Sequence, residues 1–286
     1  MGENGVALSI LVRSATESRY IRGMTKTIDI DRVARLIIDV AAEEIVPRYK
    51  TLGADAIRSK TSANDMVTDA DEQAEAQLTR RLPDLLPGSV VVGEEAVYAN
   101  PAVLDRLSGD QPVWVVDPVD GTANFARGHP AFACMVALVE RGQTVAGWIW
   151  DPIGDRLWIA EQGAGACCNG HRIQVSGHGQ PLSSLIGSLG RGRLANTLEQ
   201  QYALRVRHGS AAHDYAAMAD GRVHFAVYNR LKPWDHAAGV LLHHEAGGYS
   251  ALRGQNVPYQ PTRQDGELIV APDREIWERI NGLLPG

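Results

Sequence analysis

Carboxylates stand at the ends of apolar segments in this chain, where an isolated charge would be costly. Glu94 and Glu95 follow three valines in VVVGEEAV, residues 90–97. Asp117 and Asp120 lie in VWVVDPVDGTANF, residues 113–125, and Asp235 in LKPWDHAAG, residues 231–239. A fourth acidic group, KTSANDMVTDADEQAE over residues 60–75, carries Asp65, Asp69 and Asp71. A carboxylate taken out of water is strongly penalised unless something positive meets it. Two of them about 4 Å apart repel by about 4 kcal/mol at an effective dielectric of about 20. Converging acids therefore need cations, and ligands that offer only oxygen select Mg²⁺, Mn²⁺ or Ca²⁺ over zinc.

The third of these runs is the most informative. Pro118 sets a bend, so Asp117 at a strand end and Asp120 three residues later can face one site. Gly121-Thr122 then opens a short helix, whose backbone N–H groups form an anion site beside the acids. The Thr122 hydroxyl is able to orient a water. The same stretch also reads as an Asp-Pro turn with a capping Asp, a common structural device.

The elements that must position these residues follow from periodicity. Asp31 caps a helix with Val33, Leu36, Ile37, Val40 and Ala41 on one face, ended or kinked at Pro47. Residues 51–67 lack periodicity and read as a loop, and a second helix follows Thr68. Strands are expected at Ser89–Gly93, Pro112–Asp117, Phe132–Glu140, Thr144–Asp151 and Arg156–Glu161. Gly163, Gly165, Asn169 and Gly170 mark a turn before a strand at Arg172–Val175. Helix returns at about 196–206 and after Ser210, and Val223–Tyr228 reads as a strand. A last amphipathic helix starts at Asp235 and stops at Gly247-Gly248. Helices and sheets alternate without a βαβ rhythm, which predicts an α/β (α+β) layered sandwich. Residues 1–23 read as an extension outside a single domain over 24–286.

Composition narrows the function. A formal net charge of −6 argues against nucleic acid as the main partner. No apolar run approaches a membrane span. Cys134, Cys167 and Cys168 form no CxxC pair and read as reduced thiols in a cytoplasmic protein. Nucleotide-binding glycine motifs and an EF-hand loop are missing. Trp114, Trp148, Trp150 and Trp158 read as core. His236 and the pair His243-His244 lie on or beside a helix already explained by packing. Glu95 reads as a structural acid, Asp69 as a helix-start charge, and Asp71 as an acid behind the ligands.

DPVDGTANF, the GEE some 23 residues before it, DMVTDAD and WDHAAG with a downstream EAGG occur in an order that resembles the inositol monophosphatase family over roughly residues 30–275. The resemblance implies an αβαβα sandwich and a Mg²⁺-dependent, lithium-sensitive phosphatase using two or three ions, active as a homodimer. It implies that Glu94, Asp117 and the Val119 carbonyl hold one metal and that Asp117, Asp120 and Asp235 hold another. Asp65 with Thr122 would activate water, the Gly121 and Thr122 N–H groups would bind phosphate oxygens, and Lys60 aligns with a family lysine near the mobile metal loop, though it reads equally as a solvated lysine. Inositol-hydrolysing members carry an acid seven residues before the Asp of the WD motif, where this chain has Tyr228. With Arg230 and Lys232 nearby, and Arg191 and Arg193 if their loop borders the pocket, Tyr228 suits an aromatic, heterocyclic or doubly phosphorylated ester; as a strand residue it reads equally as a side chain pointing into the core. Histidinol phosphate, a nucleotide 3′-phosphate and a sugar bisphosphate are examples. A regulatory interaction protein on the same fold is the reading of another class.

Overall fold

A strand buried at every position, β4 (Val113–Asp120), organises the molecule. In the computed structural model the described residues are 28–51, 57–59, 66–190 and 201–284, with 57–59 and 66 as backbone only. Residues 1–23, Lys60, Asp65, Arg191 and Arg193 lie outside them. Strand β4 sits in a seven-stranded sheet of order β3-β4-β5-β6-β7-β8-β9. Its neighbours there are β3 (Val90–Gly93), β5 (Ala133–Glu140), β6 (Gln143–Asp151), β7 (Arg156–Glu161), β8 (Gly165–Cys168) and β9 (His171–Arg172). Pair β3/β4 is parallel and the rest are antiparallel.

Alternation along β4 divides its side chains between two cores. Trp114, Val116 and Val119 pack with α1 (Ile30–Val40) and α2 (Asp69–Leu85) on one face. Both indole N–H groups in this core are satisfied: Trp114 donates to Ser89 Oγ at 2.9 Å and Trp148 to the Ile30 carbonyl at 3.3 Å. Val113 and Val115 face α5 (Ala211–Ala219) and α6 (Pro233–Glu245) on the other. Beyond that helical layer lies a second sheet of order β11-β10-β12-β14-β13. Its strands are β10 (Ile186–Leu189), β11 (Leu204–Val206), β12 (Phe225–Tyr228), β13 (Tyr249–Leu252) and β14 (Leu268–Ala271). Helix α7 (Arg274–Leu283) covers its outer face with Ile276, Trp277 and Ile280. The order of layers is αβαβα, as the sequence led us to expect. Cys134, Cys167 and Cys168 form no disulfide. Among the described residues no helix is long and apolar enough to cross a membrane.

Several boundaries differ from the sequence reading, each for a local reason. Asp29, not Asp31, caps α1: its Oδ1 accepts the N–H groups of Asp31 and Arg32, each at 3.0 Å. The stretch read as a loop before α2 contains the short antiparallel pair β1 (Ile57–Ser59) and β2 (Met66–Thr68). Asn169 and Gly170, both at positive φ, form a two-residue hairpin turn, so the strands flank them as β8 and β9 rather than starting at Arg172. Leu204–Val206 is an edge strand pairing parallel to β10, not the end of a helix. Helix α6 begins at Pro233, which suits the first helical position, two residues before Asp235. Strands β13 and β14 and helix α7 follow it, so α6 is not the last helix.

Candidate metal and phosphate site

Parity explains why Asp117 and Asp120 share a face. Strand β4 pairs Asp117 with Met135 and Asp120 with Ala133, so three steps on one strand match two on the other. That extra residue at Val113–Asp120's Pro118-Val119 bulge turns Asp120 to the side Asp117 already faces. Asp235, in the first turn of α6, comes to the same place from the helical layer. Ligand oxygens of Asp117, Asp120 and Asp235 all lie within 4.8 Å of one another. Burial, then the charges of Glu94, Asp120, Asp235 and Asp71, push the Asp117 pKa well above its usual range. An oxygen-only cluster in which three carboxylates converge and two of them are buried fits a hard divalent ion such as Mg²⁺.

Glu94 is delivered by a turn built for it. Strand β3 ends at Gly93 and α3 (Glu94–Ala99) starts at once. The buried Glu75 carboxylate accepts the N–H groups of Glu95 (2.8 Å) and Ala96 (2.7 Å), closing the start of α3. A side chain at Gly93 would overlap that carboxylate, which explains the glycine of the GEE run. Burial raises the Glu75 pKa to about 7 despite these donors.

Gly121 adopts a left-handed conformation, φ 89°, ahead of the short helix α4 (Thr122–Ala126). A Cβ there would lie 2.7 Å from the Ala131 carbonyl, so both conformation and space demand glycine. The Thr122 hydroxyl lies 3.0 Å from Asp71 Oδ1 and 3.0 Å from the Val119 carbonyl. Asp71 also accepts the Thr68 N–H (2.8 Å) and hydroxyl (2.5 Å), and burial lifts its pKa to about 7. Asp71 is therefore in direct contact with Thr122, whereas Asp65, the partner expected from the sequence, lies outside the described residues.

Asp120 is held from the start of α5, by residues the sequence reading passed over. The Ser210 hydroxyl donates to its Oδ2, Ala212 N–H donates to the same oxygen at 2.9 Å, and Ala211 N–H to Oδ1 at 3.2 Å. Ser210 Oγ lies 3.0 Å from His213 Nδ1, and His213 Nε2 lies 3.4 Å from Asp151 Oδ2. Ser210 was legible as a helix cap; its reach to Asp120 was not, because 90 residues separate them.

A cavity of about 1040 Å³ opens on the cluster, with Glu94 and Asp235 in its wall. Arg127, Arg207, Arg230 and Lys232 line it as well. Tyr228 is not among its lining residues. Its ring stacks on Tyr215 at 5.5 Å and meets His236 at 4.7 Å, and its buried hydroxyl has no hydrogen-bond partner among the described residues. His236 bonds to the Arg230 carbonyl (2.7 Å) and the Tyr215 hydroxyl (2.9 Å), so both ring nitrogens are occupied by packing partners.

The layers and the all-carboxylate cluster together define a metal-dependent phosphatase, a phosphoric monoester hydrolase. A model of the inositol monophosphatase family matches residues 28–285, and the chain belongs to that family. It is 36% identical over 200 residues to the fructose-1,6-bisphosphatase/inositol-1-monophosphatase of Thermotoga maritima, covering 68% of this chain and 74% of that protein. It is 40% identical over 196 residues to the inositol-1-monophosphatase of Mesorhizobium japonicum, covering 65% and 71%. A Nus factor SuhB from Xylella fastidiosa is 35% identical over 209 residues, covering 69% and 73%. Among solved structures, a Thermotoga maritima IMPase superposes with a TM-score of 0.76 at 27% identity, over 89% of this chain and 95% of that one.

Proposed function

We propose that this chain hydrolyses a small phosphate monoester by attack of water, with Mg²⁺ held by Glu94, Asp117, Asp120, Asp235 and the Val119 carbonyl. The observation that carries this reading is the approach of the Asp117, Asp120 and Asp235 oxygens to within 4.8 Å of one another. Bound Mg²⁺, as two or three ions, supplies positive charge that activates water and offsets charge on the phosphoryl and leaving oxygens. Asp117 and Asp120 take fixed directions from the β4 bulge and from the three donors at the start of α5. Thr122, aided by Asp65, orients the attacking water, and contact with Asp71 limits the rotation of its hydroxyl. The N–H groups of Gly121 and Thr122 bind phosphate oxygens. Arg230, in the cavity wall, contacts the substrate's alcohol portion. Tyr228 shapes the pocket from behind through Tyr215 and His236, and it puts no carboxylate where inositol hydroxyls would need one. myo-Inositol 1-phosphate is accordingly a poor substrate.

A phosphate-release screen over small phosphate esters, with Mg²⁺ or with chelator, tests the reading. Metal-dependent release from at least one ester is expected, and none from any ester would overturn it. Isothermal titration with Mg²⁺ checks the metal site separately. The cysteine usage and the family support a cytoplasmic homodimer, which sedimentation of the purified chain tests. A second reading, a protein-binding role in transcription, is supported by the name of the Xylella relative. Retention of every metal-ligand carboxylate favours the enzyme.

A further inference from the structure

His208 is tied down at one nitrogen of its ring and open at the other. It stands between β11 and α5, with its side chain 26% exposed. Nδ1 lies 2.6 Å from Asp214 Oδ1, and the same oxygen accepts the Ser188 hydroxyl at 2.6 Å. Asp214 in α5 and Ser188 in β10 are both buried, so this anchor is part of the fold. A carboxylate oxygen accepts from Nδ1, so Nδ1 carries the hydrogen, and any further proton that the ring gains or gives up passes through Nε2. Nε2 has no hydrogen-bond partner among the described residues and is not among the buried unpartnered side-chain atoms. His213 and His236, in contrast, have both ring nitrogens engaged by neighbouring side chains or backbone.

The open side of this ring belongs to the cavity that Glu94 and Asp235 also line. Backbone contacts hold that wall against the short helix α4. The Asn124 side-chain amide donates to the carbonyl oxygens of His208 at 2.9 Å and Gly209 at 3.3 Å. A Cβ on Gly121 would lie 3.1 Å from Ser210 Cβ, and the Ser210 hydroxyl donates to Asp120. Residues 208–210 therefore run directly beside Gly121 and Asp120. An ester whose phosphate sits at the acids and the Gly121-Thr122 N–H groups extends its alcohol portion into the space that His208 lines. Charged and titratable groups around the ring are Asp214, bonded to it, His213, with its ring centroid 6.5 Å away, and Arg207 and Arg127 in the same cavity wall.

We propose that His208 is a catalytic residue, the general acid that protonates the departing alcohol, with Asp214 as its positioning residue. The inference rests on the phosphatase reading above and adds to it the source of the leaving group's proton. Water oxygen forms the new bond to phosphorus and keeps one proton in the hydrogen phosphate product, while its other proton goes to solvent. The bond from phosphorus to the alcohol oxygen breaks with both electrons on that oxygen, which takes the proton from Nε2 of the doubly protonated ring. The ring is left neutral with its hydrogen on Nδ1, the tautomer that Asp214 holds, and Nε2 regains a proton from solvent through the open cavity.

The test exploits the leaving group. An alkoxide needs a proton as it departs, whereas p-nitrophenolate is stable as an anion. The parent chain, His208→Asn and His208→Gln are compared in phosphate release with Mg²⁺ from sorbitol 6-phosphate, glycerol 2-phosphate and p-nitrophenyl phosphate. Asn keeps an N–H near the Nδ1 position, so the bond to Asp214 survives without Nε2. Gln offers an amide near the Nε2 position that donates a hydrogen bond but gives up no proton. In both variants kcat for the two alkyl esters should fall by about a hundredfold or more, the typical worth of a general acid, and kcat for p-nitrophenyl phosphate by less than about tenfold. Asp214→Asn should lose less, with the same order of esters. Equal losses on all three esters, a change confined to KM, or alkyl-ester kcat within about twofold of the parent's would overturn the assignment and leave the phosphatase reading standing. So would a parent chain that cleaves p-nitrophenyl phosphate but neither alkyl ester. Release from none of the three by the parent chain would overturn both.

Discussion

Asp235 and Ser210 illustrate two ways a single residue serves the cluster: one supplies charge to it, the other direction. Asp235→Asn keeps shape and removes one of the negative charges that raise the Asp117 pKa. Turnover at saturating Mg²⁺ should fall by about a hundredfold or more, as when a group that stabilises transition-state charge is removed. The melting temperature without metal should hold or rise, because repulsion falls; near-normal kcat would sink the assignment. Ser210→Ala removes one of three donors to Asp120. Partners that orient metal ligands are typically worth about 10- to 100-fold in affinity or activity. Isothermal titration should show Mg²⁺ binding weakened by about tenfold, and unchanged binding would make Ser210 only a helix cap. The carboxylates were legible as residues because an acid after a buried strand demands a cation. Asp71 was legible as an acid behind the ligands, but Glu75 and Ser210 were not singled out as parts of the site, since nothing in their local sequence distinguishes a cap or a solvated charge from a partner across the fold.

Gly93 and His243 carry the argument at the scale of the element. Gly93→Ala must displace the Glu75 carboxylate from the start of α3. Loss of buried hydrogen bonds costs about 1–3 kcal/mol, so denaturant midpoints should drop measurably, and kcat/KM should fall with them as Glu94 shifts. His243, on the buried face of α6, donates its Nε2–H to the Ala271 carbonyl at 2.8 Å, and its Nδ1 has no hydrogen-bond partner among the described residues. Burial lowers its pKa to about 4. The unfolded chain takes up this proton below about 6.5, whereas the folded chain resists until about 4. Stability from neutral His243 is therefore complete above pH 6.5 and is lost as pH falls toward 4, by an amount on the order of 3 kcal/mol. Urea midpoints between pH 7 and pH 4.5 should show this decline, and His243→Gln should lessen it, leaving the part that comes from buried His236, whose pKa burial also lowers to about 4. Strand positions in the large sheet were readable from apolar, β-branched runs. The edge strand β11 was not, because Leu204–Val206 is too short to show a period and is stabilised by pairing with β10.

For the whole molecule, the five layers bury three clusters of apolar side chains, and the described residues forming them begin at Ile28. A chain beginning at Met24 retains all of them. Its melting temperature and kcat/KM should match those of the full chain within error, and a clear loss of either would show that residues 1–23 pack on the domain.

From the residues alone came a layered α/β sandwich and the all-oxygen metal chemistry, while the αβαβα order and the assignment of the ligand acids came from the resemblance that DPVDGT, GEE and WD carry. Only the tertiary structure brought Asp235 to Asp117 across the helical layer, turned Asp120 through the β4 bulge and set Ser210 against it. It also enclosed the Tyr228 hydroxyl and left Arg230 in the cavity wall, although the two residues are two apart in the chain. Local sequence determines which backbone each residue prefers. Which side chains share a cavity depends on how distant elements pack, and that is fixed by the apolar faces that press the sheets and helices together.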